Sequence, residues 1–520
     1  MRLKPGATVR RASGFEIGSE GETSKKMRKR TARMLLAATI TIAATLCTLR
    51  LEAKPNIIFI LADDLGYGDT GFTWQNRRAE GLPRIQTPNI DRLAREGTVL
   101  SSHYCCAPVC APSRASILTG KVQGECSLRD NCFDRAFSET ETLGTAMRDS
   151  GYATWAVGKW GIAGGGESGE PVASHPLDRG FDCFYGFLDH LAGHTYYHYS
   201  GCINGAFMGI TENRSDATEQ ASGIYSTDLF IAKAKDLISR HLAKEPEKPF
   251  FLYLAVNTIH GSCRSDDTLA EKHPLHVPGG PYPAEGVQWP LEKEPLAKRN
   301  TWIDPRYASL PENPARYATA ITRLDDALGD LMRHLEKCGA GDNTLIVFTS
   351  DNGPADEAGA DPRFFASAGP FDGLKRDVFE GGMRVPAFIR WPGKIPAGAV
   401  DDTPSQAHAW MKFLRAAAED RYEPISSLVY TQYEFPWGGG TDAFREFESR
   451  KGRVRGLQQM VRSGDFTALR TRMREGGSKV RLYDVKHDPF QANDLADNPA
   501  YREKLAELTA ILDERYVDSK

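Results

Sequence analysis

Four apolar runs constrain this chain more than anything else in it. NIIFILA covers residues 56–62, YATWAVG 152–158, FFLYLAV 250–256 and TLIVFT 344–349. None alternates apolar with polar residues, so none suits a sheet with one wet face. Continuous apolar strands belong in a sheet covered on both sides, as in α/β architectures. The stretches between them carry helical spacing. Ile321, Leu324, Leu328, Leu331 and Leu335 recur at helical intervals within 314–337, and Gly339 is a stop. Residues 139–149 run into Gly151 in the same way. Strands alternating with helices predict a mostly parallel sheet flanked by helices.

At 520 residues the chain exceeds one small core. Residues 25–33 are basic (KKMRKRTAR), residues 34–49 are apolar and uncharged, and 51–53 (LEA) supply a small residue. That order is an export signal, and the apolar run is short for a membrane span. We therefore expect an export region over 1–53, with Met27 a candidate start, a periplasmic or secreted product and no stable membrane insertion. The main domain is expected over 54–400. Residues 262–312 are rich in proline and charge and read as a long functional loop. After residue 400 the pattern changes. Short strands at 428–435, 466–471 and 479–485 and a helix at 498–516 predict a C-terminal α+β subdomain over 401–520. Ten cysteines in an exported chain could form disulfides, with no metal-finger spacing among them. A net charge of −3 gives no footprint for nucleic acid.

Ligands of open α/β sheets collect beyond the carboxyl ends of the strands. The first run is followed by Asp63 and Asp64, the second by Lys159, the third by His260 and the fourth by Asp351 and Asn352. Asp63, Asp64, Asp351 and Asn352 are hard oxygen donors suited to Ca²⁺ or Mg²⁺. Packed together, three carboxylates need a cation. Lys159, His260 and Arg114 add positive or proton-donating groups. A divalent ion ringed by such groups describes a pocket for a tetrahedral anion such as sulfate or phosphate.

The stretch CAPSRASILTG, residues 110–120, is the other feature. Pro112 suits the first turn of a helix that ends by Gly120. Cys110 then sits at the helix N-terminus, where negative charge is favoured and a thiolate would be a competent nucleophile. Arg114 can reach an oxyanion or steady what Cys110 becomes.

These residues resemble the signature of the type I sulfatases, Cys-x-Pro-Ser-Arg followed by Leu-Thr-Gly. NIIFILADDLGYGD (56–69), TPNIDRLAREG (87–97), GKWG (158–161), KPFFLYLAVNTIH (248–260), VFTSDNG (347–353), GLKRDVFEGGMRVP (373–386) and RLYDVKHDPFQANDLA (481–496) follow in that family's order. The resemblance implies an alkaline-phosphatase-like fold: a mixed, mostly parallel sheet flanked by helices, with a small C-terminal α+β subdomain bearing a short antiparallel sheet. It also implies that Cys110 is oxidised to Cα-formylglycine by a formylglycine-generating enzyme during export. One hydroxyl of the hydrated aldehyde would attack sulfur and expel the alcohol, and the second would then lose its proton as sulfate leaves. By the same resemblance, Asp63, Asp64, Asp351 and Asn352 would hold Ca²⁺, with Mg²⁺ an alternative, and Arg114 would stabilise the diol. Lys159, His260 and Lys375 would bind sulfate oxygens, with His260 or Lys375 as proton donor to the leaving oxygen. The implied substrate is a sulfated carbohydrate or other sulfate ester.

The chain departs from the family in three places. Gly161 stands where histidine often follows the GKW lysine, and His194 or His198 is a candidate to replace it in space. Gly261 follows His260 where proline is frequent. The stretch from Asp401 to about Ser427 is short. Two other functions stay open from sequence: a phosphate or phosphonate ester hydrolase on the same fold, and a non-catalytic binder of sulfated glycan. Tyr433, Phe435 and Trp437 are candidate pocket walls.

Overall fold

The computed structural model describes Met27 and residues 54–131, 135–164, 172–203, 206–262, 273–434, 456–475 and 478–518. The expected export segment, Met27 aside, lies outside these residues, as do Phe435 and Trp437. The chain divides into two units, Met1–Ala53 and Lys54–Lys520, and every element below belongs to the second.

All four apolar runs are strands of one sheet: β1 (Asn56–Ala62), β3 (Ala153–Lys159), β7 (Phe250–Ala255) and β8 (Thr344–Ser350). Among the described residues this sheet has ten strands in the order β10-β2-β9-β8-β1-β7-β3-β4-β5-β6. The others are β2 (Thr98–Leu100), β4 (Cys183–Phe187), β5 (Thr211–Glu212), β6 (Ser215–Asp216), β9 (Ala387–Arg390) and β10 (Ala399–Asp401). The central strands β8, β1, β7, β3 and β4 run parallel, while β9 and β5 join antiparallel on either side.

Every residue of β1 is buried because the sheet is covered on both faces. Ile58 and Ile60 pack with α1 (Pro88–Glu96), α4 (Ser226–Lys244) and α5 (Glu312–Lys337). Ile57, Phe59 and Leu61 pack on the opposite face with α2 (Cys110–Thr119), α3 (Leu143–Asp149) and α6 (Trp410–Ala417). At about 1.5–3 kcal/mol per buried large apolar side chain, this double burial is the main force that holds the strand ends in place. Helix α3 starts later than its apolar spacing suggests, because Thr142 caps it by accepting from the Thr145 amide.

A second sheet is antiparallel, with strands β11 (Val429–Glu434), β12 (Leu457–Ser463), β13 (Phe466–Arg470) and β14 (Arg481–Asp484). Val429, Met460, Leu469 and Tyr483 face Tyr104, Val378, Phe379 and Met383 of the main domain. Tyr430, Val461, Ala468 and Leu482 face Leu508 and Leu512 of the last helix, α7 (Arg502–Glu514). Cys105, Cys106, Cys110, Cys126, Cys183, Cys202 and Cys338 are all free, so none of these joins a disulfide. Among the described residues no helix is long and apolar enough to cross a membrane.

One buried carboxylate, Glu380, ties the second sheet to Tyr104 and Arg384 beside it. Glu380 accepts from Tyr104 Oη at 2.7 Å and from Thr467 Oγ1 of β13 at 2.8 Å. Arg384 lies 3.0 Å away and Arg462 of β12 3.7 Å away. Burial pushes the Glu380 carboxyl up, but Arg384 and Arg462 together hold it below its ordinary value. E380A leaves two buried guanidinium groups without their anion and should cost about 3–5 kcal/mol in urea unfolding. Because the folded pKa is depressed, the wild-type contribution is present above the ordinary carboxylate range. It is lost as pH falls through the folded value, so the gap between wild type and variant should close in acid.

Candidate active site

The parallel strands bring their carboxyl ends to one edge, and the expected residues meet there. Asp63 and Asp64 follow β1, Lys159 ends β3, His260 lies five residues beyond β7, and Asp351 and Asn352 follow β8. All are buried. Asp64 sits at φ 63°, a left-handed turn that bends the chain so that two successive carboxylates serve one site. Its amide donates to Asp351 Oδ1 at 3.1 Å, and its Oδ1 accepts from Asn352 Nδ2 at 2.8 Å.

Each carboxylate has a cation of its own. Lys159 Nζ is 2.6 Å from Asp63 Oδ2. Arg114 places Nε and Nη2 each 2.8 Å from Asp351 Oδ2, and Nη2 3.6 Å from Asp63 Oδ1. Lys375 Nζ is 2.8 Å from Asp64 Oδ2, 3.2 Å from His260 Nε2 and 3.4 Å from Glu357 Oε2. Glu357 also pairs with Arg376. Four carboxylates thus meet four cations, Asp63, Asp64, Asp351 and Glu357 against Arg114, Lys159, Lys375 and Arg376. The balance is uneven locally. Burial pushes Asp63 up, but Lys159, Arg114, His260 and Lys375 hold it well below its ordinary value. Burial and the Asp63 charge push Asp351 up to about 7. Two carboxylates about 5 Å apart repel by roughly 3 kcal/mol at an effective dielectric near 20, so one of the pair keeps a proton unless another cation arrives.

The oxygens present fit such a cation. Asp63 Oδ1 and Asn352 Oδ1 are buried and accept no hydrogen bond among the described residues. Asn352 spends its amide donors on Asp64 Oδ1 and Gly353 O, which fixes its carbonyl oxygen as the outward acceptor. Three carboxylates and an amide oxygen make an all-oxygen donor set suited to a hard divalent ion. The group Asp64, His260 and Glu357 also brings ligand atoms within 4.8 Å of one another. There the Lys375 ammonium already lies within 3.4 Å of all three, so that gap is filled.

Cys110 begins α2, as expected, and it is fully buried, which keeps it from being a thiolate. Burial raises its pKa to about 11 against the pull of Lys159 and Lys375. Desolvation outweighs the helix terminus here, so an unconverted thiol would stay protonated and inert. Atoms of Cys110, Asp63 and Asp351 lie within 4.8 Å of one another, so the side chain faces the oxygen cradle. Asn131 Oδ1 lies 3.5 Å from Sγ and accepts from the Ala111 amide at 3.3 Å. Tyr433 of β11, a candidate wall residue, is buried and packs against Val109 and Cys110.

The histidine nearest Cys110 is neither of those expected. His190 places Nδ1 3.9 Å and Nε2 3.8 Å from Sγ. His194 instead stacks on His260, with ring centroids 4.5 Å apart and planes at 11°. His198 bonds to Met208 O and packs on Phe187 and Phe230 in the core. A Cβ built on Gly161 would sit 3.3 Å from Lys159 Cε and 3.9 Å from His190 Cα. The space a side chain at 161 would enter therefore borders His190. Burial lowers the His190 pKa well below its ordinary value, as do Lys159 and His260, so its imidazole is neutral.

A divalent cation in this oxygen cradle would be visible in stability. The folded pKa of Asp351 is raised, so in metal-free protein its contribution is present in acid and lost as pH rises through about 7. A bound cation displaces that proton. Calcium should therefore raise the melting temperature more at pH 8 than at pH 6, and EDTA should reverse the rise. At about 100 times its Kd the ion adds about 2.7 kcal/mol. D351N should melt with little response to calcium.

Comparison with known proteins bears on the same residues. The sulfatase family's sequence model matches residues 55–418. Arylsulfatase J of Mus musculus is 29 % identical over 381 residues, which cover 71 % of this chain and 54 % of that protein. The chain thus spans about half the length of that curated relative. N-acetylgalactosamine-6-O-sulfatase of Bacteroides thetaiotaomicron is 25 % identical over 527 residues, covering 88 % of this chain and 92 % of that one. The crystal structure of Ps i-CgsB in complex with k-i-k-neocarrahexaose superposes with a TM-score of 0.65 at 25 % identity, over 89 % of this chain and 92 % of that one. Signature, sheet and family match cover the same stretch of chain, and the chain belongs to the sulfatase family.

Proposed function

We propose that this protein hydrolyses sulfate esters, with Ca²⁺ held by Asp63, Asp64, Asp351 and Asn352 and with Cys110 converted to formylglycine. The observation that carries the reading is the approach of Cys110, Asp63 and Asp351 to within 4.8 Å at a site ringed by Arg114, Lys159 and Lys375. A divalent ion added to four balanced charge pairs leaves the pocket two charges positive, which favours an anionic ester. The names of relatives and the carrahexaose complex of Ps i-CgsB support a sulfated carbohydrate as substrate.

When bound, the ion would polarise the oxyanion and offset its charge. The converted Cys110 would supply the attacking oxygen. The remaining chemistry belongs to side chains on the page. Lys159 and Lys375 bind ester oxygens as point charges, and charge that builds on those oxygens strengthens both contacts. Arg114 holds Asp351 in place through two contacts to its Oδ2 and braces the turn by donating to Lys159 O at 3.2 Å. His260 donates Nδ1–H to Gly261 O at 2.8 Å, which turns Nε2 toward Lys375. Lys375, charged and hydrogen-bonded to that imidazole, is the proton source beside the leaving oxygen. His190 accepts the proton released at residue 110 when sulfate departs. It is the neutral imidazole facing that side chain.

The protein should be produced with a formylglycine-generating enzyme and offered 4-nitrophenyl sulfate and 4-nitrophenyl phosphate in parallel. Faster release from the sulfate is expected, and preference for the phosphate would replace this function with phosphate ester hydrolysis. H190A should lose about 10²–10⁴-fold in kcat, with a smaller change in KM. H198A should retain activity, since His198 packs in the core.

A further inference from the structure

Lys375 stands between two environments. On its inner side are Asp64 and His260, and on its outer side is Glu357, whose side chain is 36 % exposed. Glu357 is brought there by a close approach of two loops. A Cβ on Gly261 would lie 2.2 Å from Ala358 Cβ, so only glycine at 261 lets residues 357–358 pass over the backbone beside His260. Ala358 itself adopts φ 53° to make that turn. Arg376 is held on the facing side. Its amide donates to Pro108 O at 2.6 Å, its carbonyl accepts from Gln458 of β12 at 3.0 Å, and its φ is 75°. Three chain segments, including the second sheet, therefore fix one acid–base pair at the outer edge of the anion site.

We propose that Glu357 and Arg376 form a subsite for the leaving group, which takes the free ring hydroxyl adjacent to the scissile ester of a sulfated sugar. The inference rests on the sulfatase reading above and deepens it. The geometry sets the position. An ester held by Lys375 puts its bridging oxygen within contact of that ammonium, and Glu357 Oε2 is 3.4 Å beyond it on the exposed side. A hydroxyl on the next ring carbon, the bridging oxygen's immediate neighbour, can span that distance. The chemistry sets the preference. A carboxylate beside a guanidinium offers an acceptor and a donor side by side, and a hydroxyl satisfies both. A second sulfate on the neighbouring carbon would meet the Glu357 charge at close range and be repelled. The site should thus read monosulfated positions with a free neighbour and reject vicinal disulfates. Sequence gives no sign of it, because Glu357 lies 19 positions before Arg376 and their link to Gly261 is purely spatial.

The test compares kcat/KM for matured wild type, E357Q and R376Q on 4-nitrophenyl sulfate, on monosulfated monosaccharides with a free hydroxyl beside the ester, and on the vicinal disulfates. The informative quantity is the ratio of sugar sulfate to aryl sulfate, because aryl sulfate has no hydroxyl to offer. E357Q should lower that ratio by roughly 10–100-fold, the worth of one hydrogen bond to a charged group. R376Q should lower it in the same direction, and E357Q should narrow the wild-type preference for monosulfate over vicinal disulfate. If Glu357 merely steadies Lys375, both substrates slow together, the ratio holds and the subsite is overturned. Wild-type protein that cleaves the aryl ester but no hydroxyl-bearing sugar sulfate also overturns the subsite alone. Release of sulfate from neither class overturns the underlying activity and the subsite together.

Discussion

Burial of three carboxylates at one sheet edge is the constraint on which the rest depends. Asp63, Asp64 and Asp351 are fully or almost fully shielded from water, and each would be intolerable alone. Arg114, Lys159 and Lys375 make them tolerable one by one. Those cations come from α2, from the end of β3 and from the loop before β9, so the site can exist only when several parts of the fold are in place. The neutralisation is incomplete by design of the geometry. Asp63 Oδ1 and Asn352 Oδ1 keep unused acceptor capacity, and Asp351 is pushed up to about 7. Those acceptors suit the divalent ion proposed above, which would tip the pocket from balanced to positive.

Much of this was legible in the sequence because strand burial and strand ends are local signals. Unbroken apolar runs announced a covered sheet, and the polar residue after each run announced the site. Parallel strands guarantee that such residues share one edge, so four separate positions became one constellation without any knowledge of contacts. Cys110 at the start of α2 was equally readable from Pro112 and Gly120. What that position does to the thiol was not. The helix terminus favours charge, but complete burial raises the pKa to about 11, and only the structure gives the relative weights.

The rest was hidden for identifiable reasons. His190 faces Cys110 across 80 positions, and DHLAGHTYYHY offers three histidines with no periodic rule to choose among them. The choice is made by packing, since His198 is claimed by Phe187 and Phe230 while His194 is claimed by His260. Strand β12 was missed because Gln458 and Gln459 look like surface residues. Both are buried, and their amides are spent on Arg376 O, Tyr430 Oη and Leu512 O. Gly161 and Gly261, read at first as departures, turn out to leave room. One opens onto His190, and the other admits the loop that carries Glu357.

The central claim is that a divalent cation and a converted Cys110 face each other over one oxygen cradle. Diffraction from matured protein grown with calcium tests it most directly. The account predicts a single cation bonded to Asp63, Asp64, Asp351 and Asn352, with an oxygen in place of sulfur on residue 110 turned toward it. An empty cradle at saturating calcium, or an unaltered thiol pointing away from the bound ion, would contradict it.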